Sequence, residues 1–179
     1  MTILIAEDDP DIWIPYKIAL EKRGHDVDLA QNGEQCIEIY KRASKDASRQ
    51  KKSNEQDDNS PPYVAVVLDY RMPKKDGLEV AKEILALNPS QRIIFASAYV
   101  KETLRESVKE LRQVVELMQK PFLPEALVDV VEDTEAYPEL TKLFVNVKKM
   151  TESDFENPSP DQIKDILEAL KRIQKGRTF

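Results

Sequence analysis

The side chains best suited to chemistry in this sequence follow short apolar runs. Glu7 and Asp8 come directly after the first run, Asp69 closes the third, Ser97 closes the fourth and Lys120 follows the fifth. Neighbouring carboxylates repel one another unless a cation lies among them, and hard cations prefer oxygen ligands. The acids are therefore candidates for a cation site, with a hydroxyl group and an amine at the corresponding places.

These residues require a fold that places the ends of several strands together. Helical periodicity separates the apolar runs, so strand and helix alternate five times, which predicts an α/β fold with a parallel sheet and helices on both faces. The carboxyl ends of parallel strands meet at one edge of the sheet, where we expect the polar side chains to converge. The runs, which are mostly continuous as in strands buried on both faces, are Ile3–Ala6, Val27–Ala30, Val64–Leu68, Ile93–Ala96 and Val114–Met118.

Helix start signals support this alternation. Asn32 with Gln35 and Asp76 with Glu79 have the spacing of capping boxes, Pro124 suits a first helical position, and Asp9 is predicted to cap the first helix rather than to bind metal. Pro15 disturbs the first helix because proline lacks a backbone donor. That helix is therefore predicted either to be kinked or to begin its regular part at Pro15.

Four motifs carry a resemblance to a known family. They are ILIAEDD at the first strand, VVLDYRMPKKDG at the third, IIFASA at the fourth and MQKPF after the fifth. In this order and spacing, the sequence resembles the receiver domain of two-component response regulators over residues 1–133. The resemblance implies a doubly wound, flavodoxin-like parallel sheet of five strands in the order 2-1-3-4-5. Residues 134–179 would then be a C-terminal extension of two helices, the first of which is predicted over residues 137–149 from its amphipathic pattern.

The resemblance assigns roles to the acidic residues. Asp69 is similar to the aspartate that accepts a phosphoryl group in the family. Glu7, Asp8, Asp69 and the backbone carbonyl of Arg71 would bind Mg²⁺, with Asp8 a more direct ligand than Glu7. Mg²⁺ would offset the repulsion between the attacking carboxylate and the phosphoryl donor. Arg71 also flanks the site and is expected to influence how fast the phosphoryl group is lost.

The resemblance also assigns roles after the fourth and fifth strands. Ser97 and Lys120 match the hydroxyl and the amine that respond to the phosphoryl group, and the bond before Pro121 is expected to be cis. Tyr99 is a second expected modulator of phosphoryl lifetime. Leu117 stands where the family often has an aromatic switch residue, so the resemblance does not carry over a coupling of the serine to a rotating ring.

The function implied is a phosphorylation switch rather than an enzyme acting on external substrates. A sensor histidine kinase or phosphotransfer protein would supply the phosphoryl group, and the chain would support its own phosphorylation and dephosphorylation. The added charge would alter the face formed by the fourth helix, fifth strand and fifth helix, and so contacts with an output protein. A Mg²⁺-dependent phosphatase is a different hypothesis, but it needs a second acid where Arg71 stands.

The extension leaves the output open. Residues 134–179 contain eight basic and eight acidic residues and lack the three helices of a helix-turn-helix domain, which argues against a DNA reader. A transcriptional regulator whose tail binds DNA as a dimer remains the alternative. Ser159 and Gln162 predict a capping box before a last amphipathic helix. This helix is expected either to fold back onto the receiver or to pair with another chain, including a homodimer through residues 160–175 or through the fourth and fifth helices.

Composition adds further expectations. The formal net charge of −6 gives no long-range attraction to nucleic acid or anionic membranes, and no apolar run is long enough to cross a bilayer. A single cysteine, Cys36, excludes a disulfide within the chain and fits a cytoplasmic protein without a signal peptide. Residues 44–62 are polar and are predicted to be a solvated insertion or an extension of the second helix, with a docking loop for a partner as the alternative. His25, the single histidine, is predicted to lie on the surface.

Overall fold

The computed structural model describes residues 1–51, 60–111, 115–133 and 159–173. Strands and helices alternate through the first five pairs, and a further helix follows near the C-terminus. The strands are β1 (Thr2–Ala6), β2 (Asp26–Ala30), β3 (Ala65–Asp69), β4 (Ile93–Ser97) and β5 (Glu116–Gln119). The helices are α1 (Pro10–Lys22), α2 (Gly33–Lys51), α3 (Gly77–Leu87), α4 (Val100–Leu111), α5 (Pro124–Glu132) and α6 (Pro160–Ile173).

The strands form one five-stranded parallel sheet in the order β2-β1-β3-β4-β5, as the sequence predicted. β1 pairs with β2 from Thr2 opposite Asp26, and with β3 from Ile3 opposite Ala65. β4 pairs with β5 from Ile94 opposite Glu116. Every residue of β3 and β4 is buried, which explains why their sequences read as continuous apolar runs rather than as alternating ones.

By compactness, the chain divides into two units, Met1–Ile93 and Ile94–Phe179. The first contains β1 to β3 with α1 to α3, and its largest fully buried side chains are Tyr40, Ile3, Leu4, Ile5, Leu20, Leu68 and Ile84. Tyr40 also donates its hydroxyl hydrogen to Gln91 at 3.1 Å, so this polar atom is satisfied inside the core.

The first helix corrects one expectation. α1 begins at Pro10, directly after its cap Asp9, and continues through Pro15, so the prediction that its regular part begins at Pro15 is wrong. Asp9 accepts the N–H of Asp11 at 2.9 Å, which confirms its predicted role as a cap. Early in the helix the strong cap and the packing of Tyr16 and Leu20 outweigh the donor that Pro15 lacks.

The polar segment after the second helix is partly an extension of that helix. α2 continues to Lys51, so Ser44 to Lys51 lengthen it by about two turns, which is one of the two predicted forms. Residues 52–59 of the predicted insertion lie outside the described residues. The chain re-enters the core at Tyr63, whose hydroxyl group donates to a carboxylate oxygen of Asp28 at 2.6 Å.

His25 also differs from its prediction. It lies in the turn between α1 and β2, where a side chain is usually exposed, but it is only 8% exposed. Its backbone N–H donates to the carbonyl of Leu20 at 3.2 Å, and Gly24 before it has a φ of +80°. The turn therefore folds back on the end of α1, which a local sequence pattern does not reveal.

The second unit contains β4 and β5 with α4 to α6. α6 begins as predicted, because Ser159 Oγ accepts the N–H of Gln162 at 3.2 Å and Gln162 Oε1 accepts the N–H of Ser159 at 2.7 Å. α6 lies against α4 of the same chain, and Ile166, Leu167 and Leu170 are buried. Of the two predicted placements, the structure shows the folded-back one. The helix predicted over residues 137–149 lies outside the described residues.

Within the described part of the chain, no helix is both long enough and apolar enough to cross a membrane.

Candidate functional site

The register of β1 and β3 brings the acidic residues together. Ala6 pairs with Leu68, so the next residues, Glu7 and Asp69, lie side by side at the carboxyl edge of the sheet. Glu7, Asp8 and Asp69 each offer a carboxylate oxygen, and these oxygens all lie within 4.8 Å of one another. Glu7 is 3% and Asp69 is 9% exposed, so two of the three charges are largely withdrawn from water.

Three clustered carboxylates, two of them buried, have the chemistry of a hard-cation site. Their mutual repulsion is strong because burial reduces the screening by water. A divalent cation bound to oxygen ligands would offset it, and Mg²⁺ or Ca²⁺ takes ligands of this type. Asp9 is not in this cluster, since its side chain caps α1.

The turn after β3 holds the Asp69 side chain. The backbone N–H of Arg71 donates to Asp69 Oδ2 at 3.0 Å, which fixes the orientation of the carboxylate. The guanidinium of Arg71 lies over the ring of Tyr70, 5.4 Å from its centre. α3 then begins with a capping box between Asp76 and Glu79, as predicted, which anchors the end of this turn.

The negative charge of the site acts on the hydroxyl group of Tyr16 in α1. Burial, and then the charges of Glu7 and Asp69, raise the pKa of its hydroxyl group above the ordinary value. The direction follows because an ionised tyrosine would add a further negative charge to a poorly hydrated cluster. Tyr16 therefore remains neutral at physiological pH.

In the second unit, Ser97 ends β4 inside a network of hydrogen bonds. Its Oγ accepts the N–H of Tyr99 at 3.0 Å and lies 2.8 Å from Oγ1 of Thr103. Ser97 is 2% and Thr103 is 0% exposed. Ser107, one turn further along α4, is equally buried and donates its hydroxyl hydrogen to the carbonyl of Thr103.

The end of β5 lies beside the end of β4. Ser97 pairs with Gln119, and the backbone N–H of the next residue, Lys120, donates to the carbonyl of Ser97 at 2.9 Å. The Lys120–Pro121 peptide bond is cis. Leu117 is buried in β5, whereas Tyr99 is 62% exposed.

The structure thus brings the predicted residues together in two groups. Within residues 1–93, Glu7, Asp8 and Asp69 form the carboxylate cluster, and Arg71 contacts Asp69. Within residues 94–179, the backbones of Ser97 and Lys120 are hydrogen-bonded to each other.

Thr103 is the functional candidate that sequence reasoning missed. Its hydroxyl group contacts Ser97, although six residues separate them. The available signal was the pair Thr103 and Ser107, which places two hydroxyl groups one turn apart beside Leu104 and Val108 on the buried face of α4. Buried hydroxyl groups need partners, so their position pointed to a polar contact beneath the helix.

Comparisons with known proteins identify the family. The model of the response regulator receiver domain matches residues 3–132. The response regulator receiver protein CpdR of Brucella abortus is 28% identical over 130 residues, which cover 73% of this chain and 92% of CpdR. The peroxide stress-activated histidine kinase mak3 of Schizosaccharomyces pombe is 30% identical over 134 residues, or 72% of this chain, but these span only 5% of mak3.

A solved structure agrees in fold. The response regulator protein TrrA of Thermotoga maritima, in complex with Mg²⁺ and BeF, is 29% identical with a TM-score of 0.51, over 73% of this chain and 96% of TrrA. The sheet order and the motif order of this chain are those of the same fold. Since the family model matches more than half of the sequence, this chain belongs to the response regulator receiver domain family.

Proposed function

We propose that this chain is a phosphorylation switch in which Asp69 accepts a phosphoryl group. Receiver domains act as phosphoacceptor switches in two-component and phosphorelay systems. The observation that carries the assignment to Asp69 is the cluster that its carboxylate forms with Glu7 and Asp8. A sensor histidine kinase or a phosphotransfer protein is the proposed donor.

The chemistry at Asp69 is the formation of a mixed anhydride. A carboxylate oxygen forms the new bond to phosphorus, while the bond from phosphorus to the donor breaks and its electron pair leaves with the donor. The Arg71 N–H, by holding Oδ2, keeps the carboxylate in one orientation and reduces the freedom lost on reaction. Hydrolysis of the same anhydride by water would return the switch to its initial state.

The residues present fit Mg²⁺. Two carboxylates beside Asp69, of which Glu7 is buried and Asp8 exposed, supply oxygen ligands and negative charge, and we add the carbonyl of Arg71 to this set. Bound Mg²⁺ would neutralise charge between the carboxylates and the phosphoryl oxygens. The solved TrrA structure, which contains Mg²⁺ and BeF, supports this choice of cation.

We assign the response to Ser97 and Lys120. The ammonium group of Lys120 would pair with a phosphoryl oxygen, and the Ser97 hydroxyl would donate a hydrogen bond to another. Arg71 and Tyr99 are proposed to set the phosphoryl lifetime, because each lies two residues beyond a site residue. Tyr99 is exposed and Arg71 is at the surface, so both are accessible to water and partners.

We further propose a receiver over residues 1–133 and an extension over residues 134–179, with an output based on protein contact. The chain spans 5% of mak3 and 46% of the transcriptional regulatory protein RprY of Bacteroides fragilis, so whole-protein activities of such relatives are not carried over. A cytoplasmic location fits the single, buried and unpaired Cys36. The homodimer through residues 160–175 or through the face of α4 and α5 stays a prediction.

Intact mass spectrometry tests the phosphorylation. The full chain is incubated with acetyl phosphate, with Mg²⁺ or with a chelator, and Asp69→Asn is treated identically. We expect a gain of one phosphoryl group in the wild type with Mg²⁺, and no gain in the chelated sample or in the variant. An equal gain in Asp69→Asn would contradict the assignment.

A further inference from the structure

The Ser97 hydroxyl group is tied to the first turn of α4. It accepts the Tyr99 N–H at 3.0 Å and lies 2.8 Å from the Thr103 hydroxyl oxygen, and both Ser97 and Thr103 are buried. A buried hydroxyl group that loses its partner without gaining another is unfavourable. The position of the Ser97 hydroxyl and the conformation of this turn are therefore linked.

The single hydroxyl hydrogen of Thr103 strengthens the link between Ser97 and the first turn of α4. Thr103 Oγ1 also lies 2.9 Å from the carbonyl oxygen of Tyr99, a contact between residues one helical turn apart. A threonine hydroxyl has one hydrogen, so it donates fully to only one of these two oxygens. When it donates to Tyr99, the Ser97 hydroxyl must donate to Thr103. All these groups are satisfied together only while Ser97 faces α4.

The turn that Thr103 holds borders a cleft that a residue of the C-terminal helix also lines. α6 lies against α4, and Leu167 of α6 is buried. A cleft is lined by Leu167, Gln119 and residues 98–102, which include the first residues of α4. A change in this turn would therefore alter the cleft beside Leu167.

Leu117, at the position where the family often has an aromatic residue, cannot form a hydrogen bond through its side chain. It is 1% exposed in β5, and its side chain has no hydrogen-bonding group. In the described part of the chain, the side chain of α4 that hydrogen-bonds Ser97 is Thr103. The hydroxyl pair thus connects Ser97 to α4 directly.

We infer that Thr103 is a positioning residue that ties the Ser97 hydroxyl to α4, and that loss of this tie on phosphorylation of Asp69 loosens α6 from α4. The inference rests on the proposed function, because the phosphoryl group is what draws the Ser97 hydroxyl away. Thr103 then loses one partner, the Tyr99 N–H loses its acceptor, and the turn beside Leu167 rearranges. Release of α6 would uncover α4 for the output protein.

Amide hydrogen exchange over residues 160–173 tests the inference in the full chain. Exchange is measured by mass spectrometry in Mg²⁺ with and without acetyl phosphate, and intact mass gives the phosphoryl content of each sample. Thr103→Val removes the hydroxyl at nearly constant volume, while Thr103→Ser retains it. Ser107→Ala is the matched control, because it removes a buried hydroxyl of α4 that bonds to the backbone of its own helix.

We expect phosphorylation to raise exchange of α6 roughly tenfold in the wild type, in Thr103→Ser and in Ser107→Ala. Thr103→Val should show the raised exchange without phosphorylation and little further change with it. If Thr103→Val does not fold, Ser97→Ala removes the same bond from the other side and should give the same raised exchange.

Three results separate failure of the inference from failure of the proposed function. Normal phosphorylation of the wild type with unchanged exchange of α6, or wild-type exchange in unphosphorylated Thr103→Val, overturns the inference alone. No phosphoryl incorporation at Asp69 overturns the proposed function, and the phosphorylation trigger of the inference with it.

Discussion

Gly77 lies directly against the backbone of Asp69. A Cβ atom at position 77 would overlap the carbonyl oxygen of Asp69 and would lie 3.2 Å from the Cα atom of Tyr70. α3 therefore begins as close to the end of β3 as a residue without a side chain permits. This contact fixes the backbone that carries the proposed phosphoacceptor.

We predict that Gly77→Ala both destabilises the fold and slows phosphorylation. The added methyl group must displace the Asp69 backbone, and overpacking of this kind costs about 1–3 kcal/mol. Urea unfolding measures the first effect and the rate of phosphoryl gain from acetyl phosphate measures the second. Gly24→Ala is the control, because Gly24 has a positive φ but no atom within 4 Å of an added Cβ. It should lose stability with an unchanged phosphorylation rate, and equal rates in both variants would contradict the prediction.

Removing one charge from the carboxylate cluster is predicted to change stability and Mg²⁺ affinity in opposite directions. Asp8→Asn removes one of three neighbouring charges, so it should stabilise the metal-free protein slightly while weakening Mg²⁺ binding by roughly tenfold or more. Urea unfolding in chelator measures the first change. A Mg²⁺ titration followed by the fluorescence of Trp13, the single tryptophan, measures the second.

Asp9→Asn is the matched control for that titration. Asp9 caps α1 and lies outside the cluster, and asparagine caps a helix about as well as aspartate. We expect its Mg²⁺ affinity to remain close to that of the wild type. Equal losses of affinity in both variants would show that net charge, rather than the cluster, governs binding.

The buried thiol of Cys36 predicts lower stability in alkaline solution. Burial raises the pKa of Cys36 from 9.0 to about 12, and burial also raises the pKa of Tyr16, Tyr40 and Tyr63. The unfolded thiol loses its proton first, so the stabilisation by the protonated form is complete below pH 9.0 and is lost as the pH rises toward 12. The urea concentration at the unfolding midpoint should therefore be lower at about pH 10 than at about pH 7.

Cys36→Ala separates the thiol from the tyrosines. The variant lacks the titrating group, so its urea midpoint should fall less between the two pH values than that of the wild type. A wild-type midpoint that rises or stays constant toward alkaline pH would contradict the burial of these groups.

The fold was predictable because its signals are local and repeated. The apolar runs identified all five strands, and their ends were displaced by only one or two residues, as for the third run, Val64–Leu68, against β3, Ala65–Asp69. Such shifts are expected because the end of a strand depends on hydrogen bonds to its neighbours. The capping signals at Asp9, Asp76 and Ser159 were equally local, and the structure contains all three caps.

Tertiary contacts were the part that the sequence did not reveal. The motifs identified Glu7, Asp8 and Asp69 in the sequence. The order of the strands is enough to bring their backbones together. The contact between Ser97 and Thr103 depends on how the loop after β4 enters α4, and no spacing rule predicts it. The burial of His25 has the same origin, since it depends on a turn that folds back on α1.

The most direct test of the account is to locate the phosphoryl group chemically. After incubation with Mg²⁺ and acetyl phosphate, borohydride reduces an aspartyl phosphate to homoserine, and tandem mass spectrometry of the digested chain identifies the altered residue. We predict homoserine at position 69 alone, at a yield that follows the phosphoryl content of the intact chain. Phosphorylated protein with unmodified Asp69, or with homoserine at Asp8 instead, would contradict the account.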